Sequence, residues 1–134
     1  METRVEQTIE RHQNGYNCCQ AIVCTYCDLF GMDEEAAFKL AEGFGAGMGG
    51  MNSTCGAVSG AIAVAGLKNS QGTSNTKTKA STYQLSKEIV KRFEEVNGTS
   101  ICRDLKGIDT GKVIRSCPDC IRDAAEIVES LLLK

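Results

Sequence analysis

Proline occurs once in this chain of 134 residues, at Pro118, and glycine falls in clusters. A proline inside a helix removes a backbone hydrogen bond and clashes with the preceding turn, so its scarcity leaves helix open to nearly every segment between the glycines. Apolar spacing fills those segments with helical periodicity. Val5, Ile9 and His12 mark a surface helix over Met1 to Gln13, ended by Gly15. Asn17 caps a second helix that runs to about Phe30 and stops at Gly31. Asp33 caps a third, Glu34 to Glu42, with Ala37, Leu40 and Ala41 on its apolar side. Gly43 to Gly50 reads as a flexible loop. Ser53 or Thr54 then opens a helix through Leu67 that is apolar nearly all round, the pattern of a central buried helix. After a polar stretch, Lys79 to Val96 is amphipathic, with Tyr83, Ile89, Val90 and Phe93 facing inward and Asn97-Gly98 as the stop. Ser100 to Leu105 is a helical turn. Gly107 to Ser116 is a loop with a short extended piece at Lys112 to Ile114. Pro118 takes the first position of a last helix to Leu133. The expected fold is all-α: one domain over residues 1–134, a compact bundle of about five to seven helices with a glycine-rich loop before the buried central helix.

Fifteen basic residues against seventeen acidic ones leave a net charge of −2, which supplies no basic face for nucleic acid. No apolar run reaches the length of a membrane span, so no membrane insertion is expected. The polar, charged start, Met1 to Arg11, does not read as a secretory signal, and the cytoplasm is the expected location. In that reducing compartment eight cysteines point to metal binding or catalysis rather than to disulfide bracing. Cys19 and Cys24 read as small buried hydrophobes.

Four of the others share a position. Cys18 follows Asn17, Cys55 follows Ser53-Thr54, Cys102 follows Thr99-Ser100 and Cys117 precedes Pro118, so each starts a helix. Free N–H groups and the helix dipole there favour thiolate, the form that acts as nucleophile and metal ligand. Four thiolates together repel, and a metal, a cluster or a pair of disulfides must neutralise them. Two Cys-x-x-Cys pairs, Cys24/Cys27 and Cys117/Cys120, have a spacing that zinc accepts. The first falls inside a regular helix rather than on a turn. The second, with proline next to the first cysteine at a helix start, has the placement of a redox pair. Cys18 and Cys27, nine residues apart, fall on opposite sides of one helix.

These residues carry a resemblance over most of the chain, from about Gly15 to the C-terminus. Tyr16-Asn17-Cys18-Cys19-Gln20-Ala21, the loop Gly43-Phe44-Gly45-Ala46-Gly47-Met48-Gly49, Cys55-Gly56-Ala57-Val58-Ser59-Gly60 and Cys102-Arg103-Asp104-Leu105 are similar to the C_GCAxxG_C_C family of small helical redox-active proteins. The resemblance implies four key cysteines: Cys18, Cys55, Cys102 and Cys117, with Cys120 as the alternative fourth. The first expectation is an iron–sulfur cluster on these four, serving electron transfer or redox sensing with a redox partner protein. A thiol–disulfide oxidoreductase using Cys55 with Cys117/Cys120 is the second, and a structural zinc or interaction protein the third.

Other motifs carry less. Gly45 to Gly50 satisfies Gly-x-Gly-x-x-Gly but follows a helix, not a strand, which removes the dinucleotide reading. His12, the single histidine, reads as a surface residue, and Met48 and Met51 as packing. Arg103 and Arg115 lie near Cys102 and Cys117 in sequence and read chiefly as salt-bridge formers. The apolar helix Ala57 to Leu67 is buried within one chain or within a homodimer.

Overall fold

A computed structural model describes residues 2–134; Met1, included in the expected first helix, lies outside the described residues. The architecture is all-α. The right-handed helices are α1 (Val5–Gln13), α2 (Cys18–Tyr26), α3 (Glu34–Ala41), α5 (Gly56–Asn69), α6 (Lys79–Asn97), α7 (Cys102–Lys106) and α8 (Cys117–Ile127); α4 (Gly45–Met48) is a turn of opposite hand. Among the described residues no helix is long and apolar enough to cross a membrane.

The caps follow from side-chain chemistry. Asn17 accepts from the Gln20 N–H while the Gln20 side chain accepts from the Asn17 N–H, a reciprocal capping box that fixes the start of α2. Asp33 accepts from Ala36 N–H at α3, and Ser116 from Asp119 N–H at α8. Cys117 is therefore the first residue of α8 and Pro118 the second.

Helix α5 is the centre of the bundle, with Ala57, Val58, Ala61, Val64 and Ala65 fully buried. It lies tightly against α2. A Cβ placed on Gly60 would come within 2.9 Å of Ile22 Cβ and 3.1 Å of the Cys19 carbonyl. Helix α8 runs antiparallel to α1, tied by Arg122 to Glu6 and by Arg4 N–H to Glu129, which also accepts from the buried Tyr26 hydroxyl. Its end widens into a π-turn over Val128–Leu132.

Several expectations change. Helix α2 does not continue to Phe30; it gives way at Cys27 to a tighter 3-10 turn, Cys27–Phe30. Tyr83 is 65% exposed and Leu40 is also on the surface, whereas Ile89, Phe93, Ala37 and Ala41 are buried as expected. Tyr83 stands near the start of α6, away from the buried pair Ile89 and Phe93. Neither Ser53 nor Thr54 caps α5, because the chain there is extended and Thr54 pairs antiparallel with Ile101. No extended piece forms at residues 112–114; Ile114 and Arg115 N–H instead both donate to the Leu105 carbonyl.

Adding one methyl at Gly60 tests the α2–α5 contact. In an open helix Gly→Ala stabilises by up to about 1 kcal/mol. Here the contact with Ile22 and the Cys19 carbonyl outweighs that gain, and Gly60→Ala should destabilise by about 1–3 kcal/mol. Urea denaturation reads this as a lower midpoint; an unchanged or raised midpoint contradicts such close packing.

Candidate redox site: a cluster of cysteines around Lys106

The Thr54–Ile101 bridge sets the first half of the site. Cys55 N–H donates to the Ser100 carbonyl at 2.7 Å, Cys102 N–H to the Ser53 carbonyl at 2.9 Å, and Arg103 N–H to the Met51 carbonyl at 2.8 Å. Cys55 and Cys102, each one residue beyond the bridge, are thereby stitched side by side at the starts of α5 and α7. Cys55 is itself the N-cap of α5; no side-chain hydrogen bond caps this start, and the Cys55 sulfur lies near the free Ala57 and Val58 N–H groups.

The second half comes from α2 and α8. Cys18 opens α2, Cys117 opens α8, and Cys120 follows one turn later. The sulfurs meet in pairs across elements rather than along the Cys-x-x-Cys motif. Cys18 lies beside Cys117 and Cys120 beside Cys55, near enough that each sulfur's protonation depends on its neighbour's, while the Cys120 thiol donates to the Arg115 carbonyl at 3.9 Å. Cys102 faces the same group, close enough to feel the charges of Cys55 and Cys117, without a thiol partner. Among the described residues no three or more His, Cys, Asp or Glu side chains are arranged to hold a single metal ion.

The charge in this group has a visible counterpart. The Lys106 ammonium donates to the Arg115 carbonyl at 3.4 Å and lies 3.9 Å from Cys120 Sγ, and it also reaches the Cys117 sulfur. Against the burial that would lower its pKa, the sulfurs hold it above the ordinary lysine value. Lys106 escaped the sequence reading, although it stands four residues after Cys102 and hence on one face of the same helix, a signal the sequence carries. The nearby arginines are engaged elsewhere: Arg103 with Asp109 and Arg115 with Asp123, both at 2.9 Å.

Within each pair one sulfur keeps the proton and the other loses it. The neighbouring Cys18 thiol brings the Cys117 thiol down to about 5, aided by Lys106. The neighbouring Cys120 thiol, with the Ala57 N–H and Lys106, brings Cys55 to about 7. Cys18 and Cys120 are pushed up by those same neighbours and by burial. Cys102 is also raised, by burial first. Cys117 is partly exposed, whereas the other seven cysteines are buried.

The remaining cysteines lie elsewhere. Cys19, Cys24 and Cys27 pack with Val23, Ala37 and Ala41 on the other side of α2. Burial pushes Cys19 and Cys24 up to about 12 and raises Cys27, the protonation expected of buried, inert thiols.

The geometry now sits beside a comparison with known proteins. Residues 16–131 match the family described as "Putative redox-active protein (C_GCAxxG_C_C)". The chain belongs to the C_GCAxxG_C_C family. No curated protein and no solved structure matches it. Within this C_GCAxxG_C_C chain, the cysteines at helix starts are gathered on one side of α2 and α5, and Cys120 joins them.

The glycine-rich loop closes over Cys102. Ala46, Gly47 and Met48 all have positive φ, and Gly49 N–H closes the turn onto the Gly45 carbonyl at 2.9 Å. A Cβ on Gly47 would stand 2.5 Å from Cys102 Cβ and 2.9 Å from the Ser53 carbonyl.

A depressed thiol pKa fixes the direction of a pH dependence. The Cys117 thiolate contributes stability that is complete above the ordinary thiol value of about 8.5 and is lost as the pH falls through about 5. Its alkylation by iodoacetamide should likewise fall to half near pH 5. Lys106→Met should move that midpoint upward. Peptide mapping of the alkylated protein checks both, and a midpoint near 8.5 in the unsubstituted protein contradicts the arrangement.

Proposed function

We propose that this cysteine cluster is a dithiol–disulfide redox centre in which Cys117 is the attacking thiolate and Cys18 the resolving thiol. One observation carries the reading: Cys117, the partly exposed cysteine, opens α8 beside the buried Cys18 thiol and Lys106. A thiolate at a helix start next to a cation is the environment of a reactive cysteine. The partner of Cys117 is Cys18 from another helix, not its motif neighbour Cys120.

The chemistry balances without a further reagent. Cys117 thiolate attacks one sulfur of a partner disulfide, whose S–S bond breaks, and the second partner sulfur leaves as thiolate. Cys18 gives up its proton to that thiolate and attacks Cys117 Sγ. The Cys18–Cys117 disulfide forms and the first partner sulfur leaves as thiolate. The partner disulfide has gained two electrons and the centre has lost two. Lys106 steadies the thiolate before attack. Cys55 and Cys120 repeat the thiolate–thiol arrangement deeper in the core and supply a second pair to which oxidation can pass.

Cys102 favours a second reading. It faces the sulfurs yet has no place in either pair. Cys18, Cys55, Cys102 and Cys117, with Cys120 as the alternative fourth, are chemically suited to hold an iron–sulfur cluster, which when bound supplies one-electron transfer.

The two readings part on one preparation. Protein purified without oxygen is analysed for iron, sulfide, zinc and visible absorption, and Cys18→Ser is then challenged with a disulfide such as 5,5′-dithiobis(2-nitrobenzoate). The dithiol reading expects a mixed disulfide that accumulates on Cys117 in Cys18→Ser, resolves in the unsubstituted protein and is absent in Cys117→Ser. Iron and sulfide lost in Cys55→Ser and Cys102→Ser but kept in Cys24→Ser establish the cluster reading instead. Colourless protein with stoichiometric zinc overturns both.

A further inference from the structure

The sulfur chemistry of this chain does not end at the cluster. On the opposite side of α2 a cleft of about 690 Å³ opens between α1, the end of α2 and the start of α3. Its wall includes three sulfur-bearing residues, Cys24, Cys27 and Met32, together with Arg4 and Arg11. Their convergence has a backbone cause. Helix α2 breaks into the 3-10 turn at Cys27, Gly31 ends that turn at φ 78°, and the chain folds back so that Met32 N–H donates to the Cys27 carbonyl at 3.2 Å. Met32 thereby packs into the small cluster that buries Cys24 and Cys27.

Neither thiol is held by a strong partner. Cys24 Sγ donates to the Glu34 carbonyl at 3.8 Å and Cys27 Sγ to the Cys24 carbonyl at 3.6 Å, long contacts to a carbonyl in each case. Burial holds both protons on the sulfurs, so a cation enters only by displacing them.

We propose that Cys24, Cys27 and Met32 form a second site, separate from the cluster, for a soft monovalent metal ion of the copper(I) class. Two thiolates and a thioether are the donors that select such an ion over harder ones. Binding exchanges the two thiol protons for the ion: both leave to solvent, two sulfur–metal bonds form, and the thioether adds a third without a proton. The site then carries one net negative charge. Arg11 faces it; its guanidinium is held in the cleft by Thr25 Oγ1 at 3.2 Å and by Glu34 at 3.1 Å, and the Cys24 sulfur lies within its electrostatic reach. Arg4, anchored on the Thr25 carbonyl and Asp28, stands on the same wall, and both arginines are paired there with carboxylates, Arg4 with Asp28 and Arg11 with Glu34. The inference is independent of the chemistry of the cluster around Lys106.

The test is titration of the full chain with copper(I) without oxygen, in competition with bathocuproine disulfonate, whose coloured complex reports the copper not taken up. Cys24→Ser/Cys27→Ser should hold one equivalent fewer than the unsubstituted protein at the same far-ultraviolet circular dichroism. Met32→Leu should surrender that equivalent at a lower chelator concentration. Cys117→Ser should keep it, whichever chemistry Cys117 performs. An equal copper load in the unsubstituted protein and in Cys24→Ser/Cys27→Ser overturns the site. Should that variant fail to fold, Met32→Leu decides, and an unchanged competition curve overturns the site.

Discussion

Negative charge in an apolar interior is the constraint on which the site depends. A thiolate drawn into a helical core is costly unless something close by compensates it. This chain answers with three devices at once. Helix N-termini present free N–H groups to sulfur, as Ala57 and Val58 do to Cys55. A second thiol shares its proton with each thiolate, Cys18 with Cys117 and Cys120 with Cys55. One ammonium, Lys106, reaches into both pairs. Removing any one device leaves the other two to stabilise the same charges, so the starts of α2, α5, α7 and α8 are bound to one another by chemistry as well as by packing.

The same constraint sorts the cysteines of α2. Cys18 sits in its first turn, where the helix end is still unsatisfied and a neighbouring helix start lies opposite. Cys19 points one residue further round and enters the other core, with Val23, Cys24, Cys27, Ala37 and Ala41. Burial outweighs every other influence among those neighbours, and in the absence of a metal ion the thiols keep their protons. One helix thus carries two populations of cysteine, and their difference is positional, not compositional. A Cys-x-x-Cys spacing says little by itself: Cys117 and Cys120 each pair across helices, and Cys24 and Cys27 lie at a break in the helix.

Much of this was legible in the sequence because it is local. Asn17 and Asp33 cap where short-range chemistry says they should, and the continuous apolar run after Cys55 marks α5 as the central helix. The helix-start position of Cys18, Cys55, Cys102 and Cys117 was readable for the same reason. What stayed hidden is tertiary. The Thr54–Ile101 bridge joins segments 47 residues apart, and no turn or periodicity signal announces it. It displaced the expected Ser53 or Thr54 cap and left Cys55 at the N-cap position without a side-chain hydrogen bond. Which thiol meets which was equally hidden, since pairing across helices is set by how α2 and α8 dock. Lys106 is the middle case: its register with Cys102 was readable, but its burial was not.

The glycine-rich loop shows what the chain spends to complete the enclosure. A left-handed conformation costs a non-glycine residue roughly 1–2 kcal/mol, and Ala46, Met48 and Met51 all adopt positive φ. A flexible connection needs no such conformation. The compensation lies in the hydrogen bonds the turn leaves open to the site: Met51 N–H closes onto the Ala46 carbonyl at 2.8 Å, and the Met51 carbonyl then accepts Arg103 N–H at the start of α7. Gly47, with no side chain, lets this strained backbone lie directly on Cys102. A looser loop would leave Cys102 and the start of α7 open to water, and the low dielectric that strengthens the Lys106–thiolate attraction would be lost with it. The glycines are therefore part of the electrostatics of the cluster, although none of them carries a charge.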